Sequence, residues 1–319
     1  FCVINIEAIM VAYLRQKYGV RKIAIVDTDV HHGDGTQDIF YHDPDTLYIS
    51  FHQDGCTLYP GTGFPNEAGS PAALGTNINL PLLPGTGDEG VHRLFDGIIR
   101  PILDDFEPEI IINSAGQDNH FSDPLASMSV TAQGYARLAD KLKADIAVLE
   151  GGYSVEAALP YVNTGIILAM AEMDYSNVIE PDQTGLRKQD EKCNARVDEL
   201  IRQIGDLWTN RQKLSSDALA KCGESWSRRK NIYYDEEGIS EEQVETAHYC
   251  KQCNGYLTIQ TAAENTRFGS QSAFIVIVDQ CTCQACRQKA YDEALKEKKT
   301  GKWQHVFVQD KSQGNIENI

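Results

Sequence analysis

Short β-branched runs alternate along the first half of the chain with longer stretches whose apolar positions recur every three or four residues. Ile4, Ile6, Ala8, Ile9, Val11, Ala12 and Leu14 follow that helical spacing and Gly19 stops it, so a helix is predicted over residues 4–18. Arg21-Lys22-Ile23-Ala24-Ile25-Val26 is too short for a helix and reads as a buried strand. A short helix over Gln37–His42 leads through the turn Asp43-Pro44-Asp45 to a second strand, Thr46–Phe51. Residues 52–87 are rich in Gly and Pro, with one short strand at 76–80, the composition of a site-building loop. An amphipathic helix follows over 90–106, with a kink expected at Pro101. Glu109–Gly116 is a third strand, Thr131–Lys143 a helix, Ala144–Leu149 a fourth strand, and 154–173 a helix. Strand and helix alternating four times predict a parallel sheet covered on both faces. Ligand sites of such sheets lie beyond the carboxyl ends of the strands, where Asp29, His31, Asp118 and Tyr153 all fall.

After this alternation the pattern changes. Residues 174–190 are polar, contain Pro181 and Gly185, and read as a linker. From Asp190 to Trp226 the spacing is helical, and Val197, Leu200, Ile201, Ile204, Leu207 and Trp208 form a packing stripe for the main domain or a partner. Residues 227–247 are charged and read as loose. Two strand-like runs, Tyr256–Thr261 and Ala273–Val278, then sit between Cys250-Lys251-Gln252-Cys253 and Cys283-Gln284-Ala285-Cys286.

Composition narrows the function classes. A chain of 319 residues with 42% hydrophobic residues accommodates one large α/β domain and a smaller module. No apolar run reaches the length of a membrane span. The opening Phe1-Cys2-Val3-Ile4-Asn5 has neither the basic region nor the cleavage site of a secretory leader and reads as a chain entered mid-domain. The formal net charge of −17 weighs against direct nucleic-acid binding. The acidity belongs to the first domain: residues 1–175 carry 9 Lys and Arg against 24 Asp and Glu, and residues 176–319 carry 20 against 22. Five of the nine cysteines cluster in the last module while Cys2, Cys56, Cys193 and Cys222 are scattered, a pattern that fits a reducing, cytoplasmic setting and a metal knuckle.

Two clusters carry candidate chemistry. Asp27-Thr28-Asp29-Val30-His31-His32-Gly33-Asp34-Gly35-Thr36 leaves the first strand. Asp29 and His31 are two residues apart, so on extended backbone they point the same way and can meet one divalent cation. The competing reading is a solvated polar turn. His32 points the other way and reads as a core histidine supporting the site rather than a ligand. In the last module two CxxC pairs flanking a hairpin predict a structural zinc site formed by the four thiolates of Cys250, Cys253, Cys283 and Cys286. A redox CxxC or an iron–sulfur set remains as the alternative, with Cys281 as a spare thiol or a replacement for Cys283. Cys2 reads as a buried structural cysteine, and Cys56 has no partner near it in sequence.

Asp27 to Thr36, Ser50-Phe51-His52, Tyr59-Pro60-Gly61-Thr62-Gly63, Gly116-Gln117-Asp118, Asp123-Pro124-Leu125 and Gly151-Gly152-Tyr153 occur in one order. Together they resemble the zinc-dependent histone deacetylase family, with its prokaryotic deacetylase and acetylpolyamine amidohydrolase relatives, over residues 1–170. The resemblance implies a three-layer arginase/deacetylase-like α/β fold in which Asp29, His31 and Asp118 hold a catalytic zinc. It implies that Tyr153 hydrogen-bonds the substrate carbonyl, and that Phe1, Tyr59, Leu125 and Gly152 line a tunnel for an acyl-lysine side chain. Asp27, Ser50 and Phe51, with Asp29 and His31, match a monovalent cation site, usually potassium. Asp27 and Asp34 match aspartates that orient a tandem histidine pair.

That pair would lie upstream of Phe1, together with the first part of the sheet, so the deacetylase-like sheet is expected to be N-terminally incomplete. A gene or expression fragment, a split protein whose other piece supplies the histidines, and a lineage without catalysis are the competing explanations. His52 and His120 are candidates for a substitute base, with His120 read as a loop histidine on a metal ligand or solvent. The expected organisation is a catalytic domain over 1–175, a linker and amphipathic helix over 176–247, a zinc-ribbon-like module over 248–310 and a tail over 311–319. The expected function is a zinc-dependent deacylase of acyl-lysine or a related amine that needs an upstream segment or partner chain. The alternatives are a non-catalytic subunit whose zinc ribbon docks a protein partner, and an acetylpolyamine amidohydrolase, against which the apolar Leu125 weighs.

Overall fold

The computed structural model describes residues 4–234, 238–267 and 269–319. Phe1 and Cys2 lie outside the described residues, and with them the expected role of Phe1 as a tunnel wall. The chain divides into two compact units, Phe1–Leu214 and Ser215–Ile319.

In the first unit, β1 (Ile23–Asp27), β2 (Thr46–Gln53), β3 (Asn77–Leu82), β4 (Ile110–Ala115) and β5 (Ile146–Leu149) form one sheet in the order β3-β2-β1-β4-β5. Every pairing is parallel. The period-two rule explains the layering. Ala24 and Val26 of β1 join Leu47, Ile49 and Phe51 in the larger core, whereas Ile23 and Ile25 join Tyr48, Val11 and Phe40 in the smaller one. Helices α1 (Ile6–Tyr18) and α2 (Asp34–Phe40) supply the smaller core. The larger core is covered by α3 (Asp88–Leu94), α4 (Arg100–Phe106), α5 (Ala132–Leu142), α6 (Leu159–Met170) and the first part of α7 (Glu191–Cys222). This is the expected three-layer arginase/deacetylase-like sheet. Local signals set the boundaries: the Asn5 side chain accepts from Ala8 N at the start of α1, and Gly19 ends the helix at φ 71°. A π-turn, Phe95–Ile99, joins α3 to α4, so the chain absorbs Pro101 at the start of α4. Pro81 is tolerated because β3 is an edge strand.

The α7 stripe settles on the larger core: Val197, Leu200 and Ile204 are fully buried there. The segment expected to be a linker, 174–190, has no regular structure, yet it is docked. Gln133 donates through Nε2 to the carbonyls of Tyr175 and Val178, and Gln189 Oε1 accepts from Gly87 N and Gly90 N.

The second unit departs from the sequence reading. The charged stretch read as loose forms β6 (Ser225–Tyr234) and β7 (Ile239–His248), paired antiparallel. With β8 (Tyr256–Asn265), β9 (Gly269–Val278), β10 (His305–Asp310) and β11 (Asn315–Asn318) they make a six-stranded sheet, so the module exceeds a zinc ribbon over 248–310 and the expected tail pairs as β11. Charge hides the strands from a hydrophobic pattern. Glu245 on β7 is buried, and it is neutralised by Arg228 directly opposite it at 2.5 Å and by Lys230 at 2.7 Å, both on β6. Helix α8 (Gln284–Thr300) packs Ala290 and Ala294 on Phe274, Val276, Val306 and Val308. No helix among the described residues is long and apolar enough to cross a membrane.

Candidate metal centres

Parallel register brings the first site together. Asp27 at the end of β1 stands opposite Ser50 of β2 and Ser114 of β4, and Ser114 stands opposite Val148 of β5. The segments leaving β1, β4 and β5 therefore emerge at one edge of the sheet. There His31 Nδ1 lies 3.2 Å from Asp29 Oδ1 and 3.0 Å from Asp118 Oδ2. Backbone amides hold the far side of each carboxylate, Gly151 N on Asp29 Oδ2 at 2.7 Å and Val30 N on Asp118 Oδ1 at 2.8 Å. Two carboxylates and an imidazole whose donor atoms lie within 4.8 Å of one another fit a divalent cation such as zinc. Burial alone would lower the His31 pKa, but the hydrogen bonds to Asp118 and Asp29 outweigh it and push it up to about 10. The cluster attracts positive charge. Gly116 and Gly151 are required behind it, because a Cβ at either would run into the Asp29 or Asp118 carboxylate.

Tyr153 leaves the β5 edge and is held by its backbone, whose N–H donates to Asp123 Oδ2 at 2.8 Å. Its ring stands edge-on to His31, with 6.2 Å between centroids. Tyr59, Leu125 and Tyr153 are all about half exposed. Gly152 takes φ +156°, and a Cβ there would meet Gln117 and Leu159. Asp27 is buried, accepts from Tyr48 Oη at 2.7 Å and from Asp29 N at 3.1 Å, and has its pKa raised by burial and by the neighbouring Asp29 charge. Ser50 and Phe51 are buried beside it on β2. Asp34 is exposed at the start of α2 and accepts from Gly35 N.

The candidate substitute bases are committed elsewhere. His52 is fully buried, with Nδ1 on Ser50 Oγ at 2.8 Å and Nε2 donating to the Gly63 carbonyl at 3.0 Å. Burial, then repulsion from His32, drives its pKa down to about 3. His120 does not face solvent, a correction to the sequence reading: it is 1% exposed, with Nδ1 on Ser122 Oγ and Nε2 2.7 Å from Glu180 Oε1. His32 is buried between Thr62 Oγ1 and Gln37 Oε1, as a supporting histidine should be. Gly63 packs against both His32 and His52, which explains the glycine that closes the Tyr59–Gly63 motif.

Sequence reasoning missed two groups. Glu180 comes from the docked segment 174–190. Glu7 of α1 is buried and accepts from Ser114 Oγ at 2.6 Å. Burial, together with the charge and hydrogen bond of Glu7, pushes Glu150 up to about 8. Only the placement of an acidic residue within the apolar spacing of α1 hinted at this pair.

The second cluster is sulfur alone. The Sγ atoms of Cys250, Cys253, Cys283 and Cys286 lie within 4.8 Å of one another. Gln252 N and Gly255 N point at Cys250 Sγ and Cys253 Sγ, at 3.4 and 3.3 Å. First the Gln252 N–H, then the Cys286 thiol, draw Cys250 down to about 6, whereas burial raises Cys253 despite the Gly255 N–H. Gly255, at φ +77°, permits the turn, since a Cβ there would strike the His248 carbonyl. Cys281 is exposed and outside the set, near the Asn254 side chain.

A family model described as "Histone deacetylase domain" matches residues 1–168. A "Probable deacetylase" of Archaeoglobus fulgidus is 52% identical over 191 residues, covering 57% of this chain and 52% of the relative. The acetoin utilization protein AcuC of Bacillus subtilis is 36% identical, covering 57% and 49%. A histone deacetylase-like amidohydrolase of Pseudomonas aeruginosa is 32% identical, covering 64% and 57%. Among solved structures, "Crystal Structure of HDA15 HD domain" matches with a TM-score of 0.57 and 31% identity, covering 69% of this chain and 60% of that one. The chain spans about half the length of the curated relatives it matches.

Proposed function

The chain belongs to the histone deacetylase family, and from that premise we propose that it is the metal-bearing part of a zinc-dependent amidohydrolase that removes an acyl group from lysine or a related amine. The convergence of Asp29, His31 and Asp118 on one point carries the reading. When bound, zinc supplies a Lewis acid and lowers the pKa of water towards neutrality. Asp29, His31 and Asp118 hold it. Tyr153 donates a hydrogen bond from its phenol to the substrate carbonyl oxygen and stabilises the negative charge that develops there. Tyr59, Leu125 and Gly152 shape the entrance for an acylated side chain, and the apolar Leu125 suits a lysine stem better than a polyamine.

Asp27, Ser50 and Phe51 hold a monovalent cation, potassium by preference. Burial of the Asp27 carboxylate among neutral donors supports that reading. Cys250, Cys253, Cys283 and Cys286 hold a structural zinc, supported by amide donors aimed at two of the sulfurs.

The step left without a residue is proton transfer. His32, His52 and His120 are each hydrogen-bonded within the fold. The family resemblance supports a reading in which the general base is a histidine pair supplied by an upstream segment or a partner chain and oriented by Asp27 and Asp34. With zinc added, the 319-residue chain is expected to show no turnover of acetyl-lysine peptides but to bind a hydroxamate, and the chain extended upstream is expected to turn over. Tyr153→Phe in the extended chain should lower kcat about 100-fold or more. Robust turnover by the chain alone would overturn the missing-base reading. Absent hydroxamate binding and absent turnover in the extended chain would favour a non-catalytic interaction subunit.

A further inference from the structure

We propose that Glu180 is a positioning residue for Tyr153, acting through a hydrogen-bonded chain of His120, Ser122 and Ser154. The proposal rests on reading Tyr153 as the phenol that meets the substrate carbonyl. Glu180 lies beyond residues 1–168, which the family model matches, in the segment that sequence alone reads as a linker. It is 4% exposed, and its carboxylate accepts from the backbone N–H of Ala132 at the start of α5 and from His120 Nε2. Burial would raise its pKa, but these donors outweigh burial and bring it down to about 2, so it is a carboxylate at neutral pH.

A carboxylate facing Nε2 favours the imidazole proton on Nε2, and the Ser122 backbone N–H, 3.2 Å from Nδ1, likewise makes Nδ1 an acceptor. Ser122 Oγ, 2.9 Å from Nδ1, donates to it. Ser122 Oγ is then free to accept from Ser154 Oγ, 2.8 Å away. Ser154 follows Tyr153 directly, and its carbonyl accepts from Ala158 N and Leu159 N in the turn that opens α6. The neighbouring link runs in parallel, because Asp123, next to Ser122, accepts from Tyr153 N. The Ser122–Ser154 and Asp123–Tyr153 hydrogen bonds thus join the loop after Asp118 to the loop bearing Tyr153, and Glu180 anchors the imidazole at the head of the first. Without Glu180, the His120 imidazole loses its Nε2 anchor, its contact with Ser122 Oγ loosens, and the Ser122–Ser154 link weakens. The Tyr153 loop is then left to the Asp123 link and to the Gly151 links with Asp29 and Gln117.

The test uses the zinc-loaded 319-residue chain with Glu180→Ala, Glu180→Gln and Ser154→Ala, an aromatic hydroxamate as probe, and hydrogen exchange of the amides of residues 150–155 in the metal-free and zinc-loaded forms. Glu180→Ala and Ser154→Ala should each weaken hydroxamate binding about fivefold to tenfold, the size of one lost hydrogen bond, and speed exchange at Tyr153 and Ser154 with zinc content unchanged. Glu180→Gln retains an acceptor for His120 and should restore most of both. If Glu180→Ala fails to fold, Ser154→Ala decides, because Ser154 is only half-buried. Wild-type exchange in Ser154→Ala, or equal losses in Glu180→Ala and Glu180→Gln, would overturn the proposal. Failure of the wild-type chain to bind hydroxamate would count against the reading of Tyr153, while exchange in the metal-free chain still decides whether Glu180 orders that loop.

Discussion

The two candidate metal centres differ in what surrounds them. Asp29, His31 and Asp118 stand at the rim of a unit whose core already contains Val26, Leu47, Ile49, Leu94, Ile99, Leu200 and Ile204, all fully buried. The four cysteines belong to a unit whose buried cluster is small, Phe274, Val276, Val278, Ala290, Ala294, Val306 and Val308. The donor sets differ in the same sense. Hard oxygen and nitrogen donors with Tyr153 at the edge suit an exchangeable, working ion, and four thiols on two turns suit a closed, structural one. A fold with a deep core holds a metal site without depending on it, whereas a small unit uses its metal as core.

The sharpest way to break this comparison is at sulfur. Cys286→Ser in the full chain should remove one equivalent of zinc and the cooperative unfolding transition of the second unit, while the transition of the first unit persists. Metal analysis and calorimetry read both, and a second unit that melts normally without its zinc would show the cluster to be dispensable. A chelator should act in the same selective way. The converse substitution is Leu200→Ala, which opens a cavity where α7 meets the first core and should destabilise that unit alone by about 3 kcal/mol. Denaturant unfolding followed unit by unit checks it, and a loss shared by both units would contradict their independence.

The smallest expected effect concerns acid. His92 on α3 is buried, neither ring nitrogen has a hydrogen-bond partner among the described residues, and burial followed by the Lys141 and Arg137 charges lowers its pKa to about 4. The unfolded chain, with the ordinary value of 6.5, binds this proton first. The first unit should therefore keep its full stability above that pH and lose part of it as the pH falls towards 4. His92→Leu should flatten that slope by about 1 kcal/mol after solvent screening is discounted, as measured by urea unfolding at about pH 7 and about pH 4.5. An unchanged slope would assign the acid sensitivity to other groups.

Legibility in the sequence followed the range of the information. The strands and helices of the first unit were readable because burial on two faces leaves unbroken apolar runs and helix burial leaves a stripe. Asp29 and His31 were readable from spacing on one strand exit, and the CxxC pairs from spacing on turns. Asp118 required either resemblance or the register that aligns β1 with β4. Strands β6 and β7 escaped because their inward positions include Arg228, Lys230 and Glu245, which neutralise one another across the ladder instead of presenting an apolar face.

By itself, the sequence determined which residues could ligate and which elements would carry them, since residue type, spacing and hydrophobic period are local properties. Tertiary structure alone decided that His52 and His120 are occupied, that Glu7 meets Ser114, and that Glu180 reaches back to His120 across sixty residues. Such contacts leave no periodic trace. They exist because a buried polar group must find a partner wherever packing brings one, and packing is settled by the whole chain at once.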